Sequence, residues 1–137
     1  MSDYQKPIPA ITPSLAPFFE GAKRGELVIQ KCTACGTHRF PPRDVCSNCL
    51  SSQAQWEKVS GNGEVFSYSI MHQVYHPGFA RDVPYAVVLV QLKEGPRITS
   101  NLAGVPVDQV RIGMPVKVIF EKLSDDVTLP KFAPFER

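Results

Sequence analysis

Cys32-Thr33-Ala34-Cys35 and Cys46-Ser47-Asn48-Cys49 decide how this chain is read. Two C-x-x-C pairs this close together have the spacing of a zinc ribbon. Each pair sits on a tight knuckle, and the four sulfurs close a tetrahedron about 2.3 Å from one metal. Gly36 follows the first pair, where a positive φ eases the chain out of the knuckle. Disulfides require an oxidising compartment, and Met1-Ser2-Asp3-Tyr4-Gln5-Lys6 opens no apolar export signal, so reduced cysteines and a cytoplasmic location are expected. A thioredoxin-like redox pair usually occurs once, beside a βαβ pattern. The interval between the pairs is shorter than in common ribbons, which leaves iron as the alternative to zinc. Four thiolates leave the metal no open position for water or substrate, so the site reads as structural.

Outward from the knuckles, Leu27-Val28-Ile29-Gln30-Lys31 reads as a strand entering the first pair. Arg39-Phe40-Pro41-Pro42-Arg43 crosses to the second pair, with helix excluded by the paired prolines. Upstream, Thr12 or Ser14 caps a short helix, Pro17 suits its first turn, and Gly25 ends it after Lys23 and Arg24. Leu15, Phe18, Phe19 and Ala22 give that helix one apolar face, fitted to the ribbon, the barrel or a partner. Residues 1–11 form a polar, proline-rich lead-in.

After Cys49 the composition turns β-branched and aromatic. Strands are expected at Trp56–Val59, Glu64–Ile70, Tyr85–Leu92, Arg97–Leu102 and Val116–Glu121, separated by Gly, Pro, Asn and Asp turns. The tail Leu129-Pro130-Lys131-Phe132-Ala133-Pro134-Phe135 is held extended by its prolines, and its phenylalanines are expected to fold back across the barrel. The fold class is therefore mainly β, an N-terminal helix and a rubredoxin-like zinc ribbon followed by a small OB-fold β-barrel, with a β-sandwich as the alternative. Three parts are expected: lead-in and helix over 1–25, zinc ribbon over 26–55, and OB-fold domain with C-terminal tail over 56–137.

With 137 residues and 43% hydrophobic side chains, the chain has material for one ordinary core. No run approaches the roughly 18 apolar residues of a membrane-spanning helix, so no membrane partner is expected. The formal charge is +2, and a zinc tetrathiolate would cancel it. Lys31, Arg39 and Arg43 gather around the ribbon, with His38 nearby and Asp44 opposing them, as cations that offset the metal site. This weak basic balance argues against a nucleic-acid partner.

Catalytic constellations are wanting. There is no G-x-S-x-G elbow and no P-loop, and Gly61-Asn62-Gly63 lacks the glycine and helix of a dinucleotide fingerprint. Glu64, Asp82, Glu94 and Asp108 are scattered near turns and pair with nothing by spacing. Only His72 and His76 lie close in sequence, and His76 is the one candidate base. It belongs to the longest expected loop, Tyr75–Pro84, where a rigid barrel would display functional groups.

Phe18-Phe19-Glu20-Gly21, Cys32-Thr33-Ala34-Cys35-Gly36, Phe40-Pro41-Pro42-Arg43, Tyr85-Ala86-Val87-Val88-Leu89-Val90 and Arg111-Ile112-Gly113-Met114-Pro115-Val116 occur in the order found in the DUF35 family. The chain resembles that family over residues of about 12 to 135. The resemblance implies an accessory subunit, not catalytic alone, that assembles with a thiolase-like enzyme or a related acyl-CoA lyase or aldolase. It implies a structural Zn2+ on Cys32, Cys35, Cys46 and Cys49, and a coenzyme A thioester as ligand of the complex. Such a thioester needs cations for its phosphates and an apolar or aromatic surface for its adenine and pantetheine. Arg39, Arg43 and Arg81 are candidates for phosphate, and Phe79 for the ligand or partner surface. Two other classes compete: a nucleic-acid module built on the same two folds, and a stand-alone acyl-CoA binding protein.

Overall fold

The computed structural model describes residues 7–135. Helix α1 (Ala16–Lys23) leads into β1 (Leu27–Cys32), which lies between β2 (His38–Arg39) and β3 (Ala54–Val59) in a three-stranded antiparallel sheet. The first cysteine pair turns the chain from β1 to β2, and the second lies between β2 and β3. Strands β4 (Asn62–Met71), β5 (Tyr85–Leu92), β6 (Arg97–Leu102), β7 (Pro115–Lys122) and β8 (Thr128–Pro134) close a barrel in the order β4-β5-β6-β8-β7. Its ladders are antiparallel except where Leu102 of β6 pairs with Phe132 of β8. This is a Greek-key barrel of the OB type, and the sandwich alternative falls away.

Strand β3 departs from the expectation that Trp56–Val59 opens the barrel. It pairs with β1 along its whole length, from Leu27 opposite Val59 to Cys32 opposite Ala54. The reason lies in β1, whose Leu27, Val28 and Ile29 are buried. Strand β2 covers only the knuckle end of that strand, so the other edge needs a full-length partner.

The tail folds back as expected, and it does more: as β8 it is the strand that closes the barrel. Its prolines fit because the ladder to β7 runs from Thr128 to Pro134, whereas β6 contributes a single bridge. The carbonyl of Phe132 accepts from Ala103 on the β6 side. Pro130 and Pro134, two residues either way, therefore turn their nitrogens to that same sparsely bonded side.

Strand β5 buries Ala86, Val88, Val90 and Leu92 on one face. Those side chains join Val65, Val116 and Phe132 in a core that also contains Leu27 and Ile29 of the ribbon sheet and Phe18 and Phe19 of α1. Helix α1 thus covers ribbon and barrel together. Neither expected cap forms on it: Leu15 occupies the N-cap position without a side-chain bond, while the hydroxyls of Thr12 and Ser14 bond each other at 3.1 Å. Gly21 lets the helix approach β1, since a Cβ there would meet Val28 Cγ2 at 2.5 Å.

Candidate metal centre and adjoining clefts

The knuckles repeat one hydrogen-bond pattern. Cys32 N–H donates to the Thr37 carbonyl at 2.9 Å and Gly36 N–H to the Cys32 carbonyl at 2.8 Å. In the second knuckle, Cys46 N–H donates to Ser51 at 2.9 Å and Leu50 N–H to Cys46 at 2.8 Å. Both turns aim their sulfurs at one point, and the four Sγ atoms lie within 4.8 Å of one another. The Cys32–Cys49 and Cys35–Cys46 sulfurs are 3.6 and 3.7 Å apart. A tetrahedron with metal–sulfur bonds of 2.3 Å requires about 3.8 Å between sulfurs, so the donor set fits zinc in a closed structural site.

Polar groups around the sulfurs favour thiolates. The Thr37 hydroxyl, 3.2 Å from Cys35 Sγ, and the Asn48 amide hold the Cys35 thiol down at about 5. Backbone hydrogen bonding within the first knuckle, from Cys35 foremost, lowers Cys32 as well. At Cys49 the Ser51 backbone N–H favours the thiolate, but hydrogen bonding to Cys32, burial and the other two sulfurs outweigh it and push the thiol up to about 12. A bound divalent cation would draw all four to the thiolate form.

The four cysteines converge as the spacing implied, whereas the candidate ligand contacts fall in two places. Arg39 is 8% exposed; its Nε donates to Gln30 Oε1 at 2.9 Å and its Nη2 to the Arg43 carbonyl at 3.0 Å. Gln30 Oε1 also accepts from the Arg43 N–H at 2.9 Å, so Arg39 and Gln30 clamp the crossing segment. The Arg43 side chain is exposed beside a cleft of about 450 Å³ bounded by Pro41, Val45 and Leu50.

Phe79 and Arg81 line a second cleft, of about 510 Å³, on the barrel. The loop between β4 and β5 supplies both, and Phe79 stacks on Tyr85 at 5.4 Å between ring centroids. Asp82 of the same loop, Asn101 of β6 and an ion pair between Lys131 and Glu121 add to its polar lining. The sequence singled out neither Asn101 nor Lys131 for this cleft, and Tyr85 stood out only within its strand segment. Pairing across the barrel is what brings them together. His76 caps the short 3-10 turn of this loop, its Nδ1 accepting from the Gly78 N–H at 2.9 Å, and its ring meets Phe79 edge-on. That hydrogen bond gives the histidine a structural occupation.

A four-cysteine ribbon joined through one core to a closed five-strand barrel defines the class: a zinc-ribbon and OB-fold protein. Family models match both parts, the rubredoxin-like zinc ribbon domain of ChsH2 over residues 19–54 and the C-terminal OB-fold domain of ChsH2 over residues 56–121. A DUF35 domain-containing scaffold protein of Methanocaldococcus jannaschii is 35% identical over 101 residues, covering 73% of this chain and 71% of that protein. The chain belongs to the DUF35 family. A probable enoyl-CoA hydratase alpha subunit of Thermomonospora curvata is 43% identical over 129 residues, 94% of this chain, and the chain spans 40% of that subunit's length. Among solved structures, a chain of the Ltp2-ChsH2(DUF35) aldolase superposes with a TM-score of 0.83 at 42% identity, covering 93% of this chain and 98% of that one. Among the described residues no helix is long and apolar enough to cross a membrane.

Proposed function

We propose that this chain is an accessory subunit, not catalytic by itself, which assembles with a thiolase-like enzyme or a related acyl-CoA lyase or aldolase and helps form its acyl-CoA passage. The observation that carries this reading is the 42% identity to a chain of the Ltp2-ChsH2(DUF35) aldolase, extending through ribbon and barrel alike. The relative named as a hydratase alpha subunit adds a CoA thioester, and the one named as a scaffold adds an assembling role. Bond-making groups then reside in the partner, and the tetrathiolate site holds the ribbon's shape with zinc. For function the chain divides into 1–25, 26–55 and 56–137, with β3 extending the ribbon sheet past the second boundary. The working compartment is the cytoplasm, where thiolates stay reduced.

In this reading the barrel cleft takes part of the thioester: Arg81 is the cation for a phosphate, and the Phe79–Tyr85 stack is an aromatic wall for adenine or pantetheine. Arg43 is a second solvent-facing cation on the ribbon, while Arg39 supports its backbone. A tagged protein drawn from native extract, with and without nuclease, tests the class of partner. Stoichiometric recovery of a thiolase-like protein is expected, and recovery of nuclease-sensitive RNA or DNA instead would overturn the reading. One observation favours that second reading: Phe66 is 44% exposed on β4 with the Arg97 guanidinium 3.7 Å over its ring. Stacked aromatic and cationic groups of this kind bind single strands, although here Arg97 already covers one ring face.

A further inference from the structure

The second knuckle contains a residue that the metal centre does not explain. Leu50 occupies the place that Gly36 has in the first knuckle, making the same hydrogen bond to the leading cysteine's carbonyl. Both residues have positive φ, 79° at Gly36 and 66° at Leu50. Glycine takes that conformation without strain, whereas a leucine brings its Cβ against the following carbonyl. The strained side chain is not spent on the core: Leu50 is 77% exposed, and Val45 at the other end of the knuckle is 50% exposed. An isolated protein gains nothing from a strained leucine in water.

What surrounds the pair indicates what covers it. Leu50, Val45 and Pro41 edge the ribbon cleft, and Arg43 stands beside them with its backbone clamped by Gln30 and Arg39. The Arg43 guanidinium makes no ion pair among the described residues, and Asp44 is the sole acid between residues 39 and 50. A second copy meeting this face across a two-fold axis would oppose its own arginines. A surface with an apolar recess flanked by a carboxylate suits it.

We infer that the second knuckle is a docking knob, Leu50 with Val45, seated in an apolar recess of the enzyme partner with a partner carboxylate facing Arg43. This rests on the accessory-subunit reading, and it assigns the ribbon an interface role alongside the cleft on the barrel. Leu50→Gly and Leu50→Asn make a decisive pair, because both residues accept positive φ and both remove the apolar knob.

The test is titration calorimetry of the full zinc-loaded chain with the Ltp2 subunit of the similar aldolase as probe partner. Both variants are expected to keep their zinc and melt no lower than the parent, and to bind the partner at least tenfold more weakly. Equal affinity of parent and variants would overturn the docking knob while leaving the accessory-subunit reading intact. Failure of the parent itself to bind would remove that reading, and the knob with it. A dimer of the isolated parent that Leu50→Gly dissolves would overturn the choice of partner.

Discussion

Cys46 is 1% exposed and sits opposite Cys35 in the sulfur tetrahedron. Replacing it with serine removes a soft ligand from a site whose assembly is coupled to folding. We expect Cys46→Ser to lower bound zinc and the melting temperature together, as read by metal analysis and calorimetry; full zinc content in the variant would contradict the four-thiolate assignment. A smaller effect belongs to Glu57. The hydrogen bond from His38 at 3.1 Å, with Lys31 at 3.4 Å, holds its carboxyl below the ordinary value of 4.5. A carboxylate depressed in the folded state adds stability above its unfolded pKa and loses it as pH falls through the folded one. Denaturation measured from neutral pH to below 4.5 should therefore show an acid-limb loss that Glu57→Gln diminishes. At this scale the cysteines were legible because metal geometry dictates their spacing. Arg39 and Leu50 were not: burial of the one and positive φ of the other belong to the folded backbone.

Elements were legible where one physical signal dominated. Strand β5 was legible as a nearly continuous apolar run over Tyr85–Leu92, and the structure turns every second side chain, four in all, inward. Helix α1 followed from its apolar face and Gly25, whose φ of 77° ends it. The helix starts without either expected cap because Thr12 spends its carbonyl on a turn to Leu15 and its hydroxyl on Ser14. Strand β8 was obscured by prolines that are tolerated only because one side of it is almost unpaired. It nevertheless contributes Phe132, 0% exposed, to the barrel core. Phe132→Ala should cost about 3–5 kcal/mol in denaturant unfolding. A loss below 1 kcal/mol would mean that the tail lies against the barrel without closing it.

Across the whole molecule, one core links the metal-stapled sheet, the helix and the barrel, so the ribbon and the barrel cleft keep a defined relation. The two-module order could be read from composition and spacing. The distribution of candidate contacts over two clefts could not, because loop and strand residues distant in sequence meet only once the barrel closes. In the proposed function the chain completes an acyl-CoA passage with an enzyme partner. Acyl-CoA binding to the chain alone, to the Ltp2 subunit of the similar aldolase alone and to the assembled pair tests it. The pair is expected to bind at least tenfold more tightly than either component, and Arg81→Ala in this chain is expected to erode the gain. Binding to the isolated chain as tight as to the pair, or to the partner regardless of this chain, would contradict it.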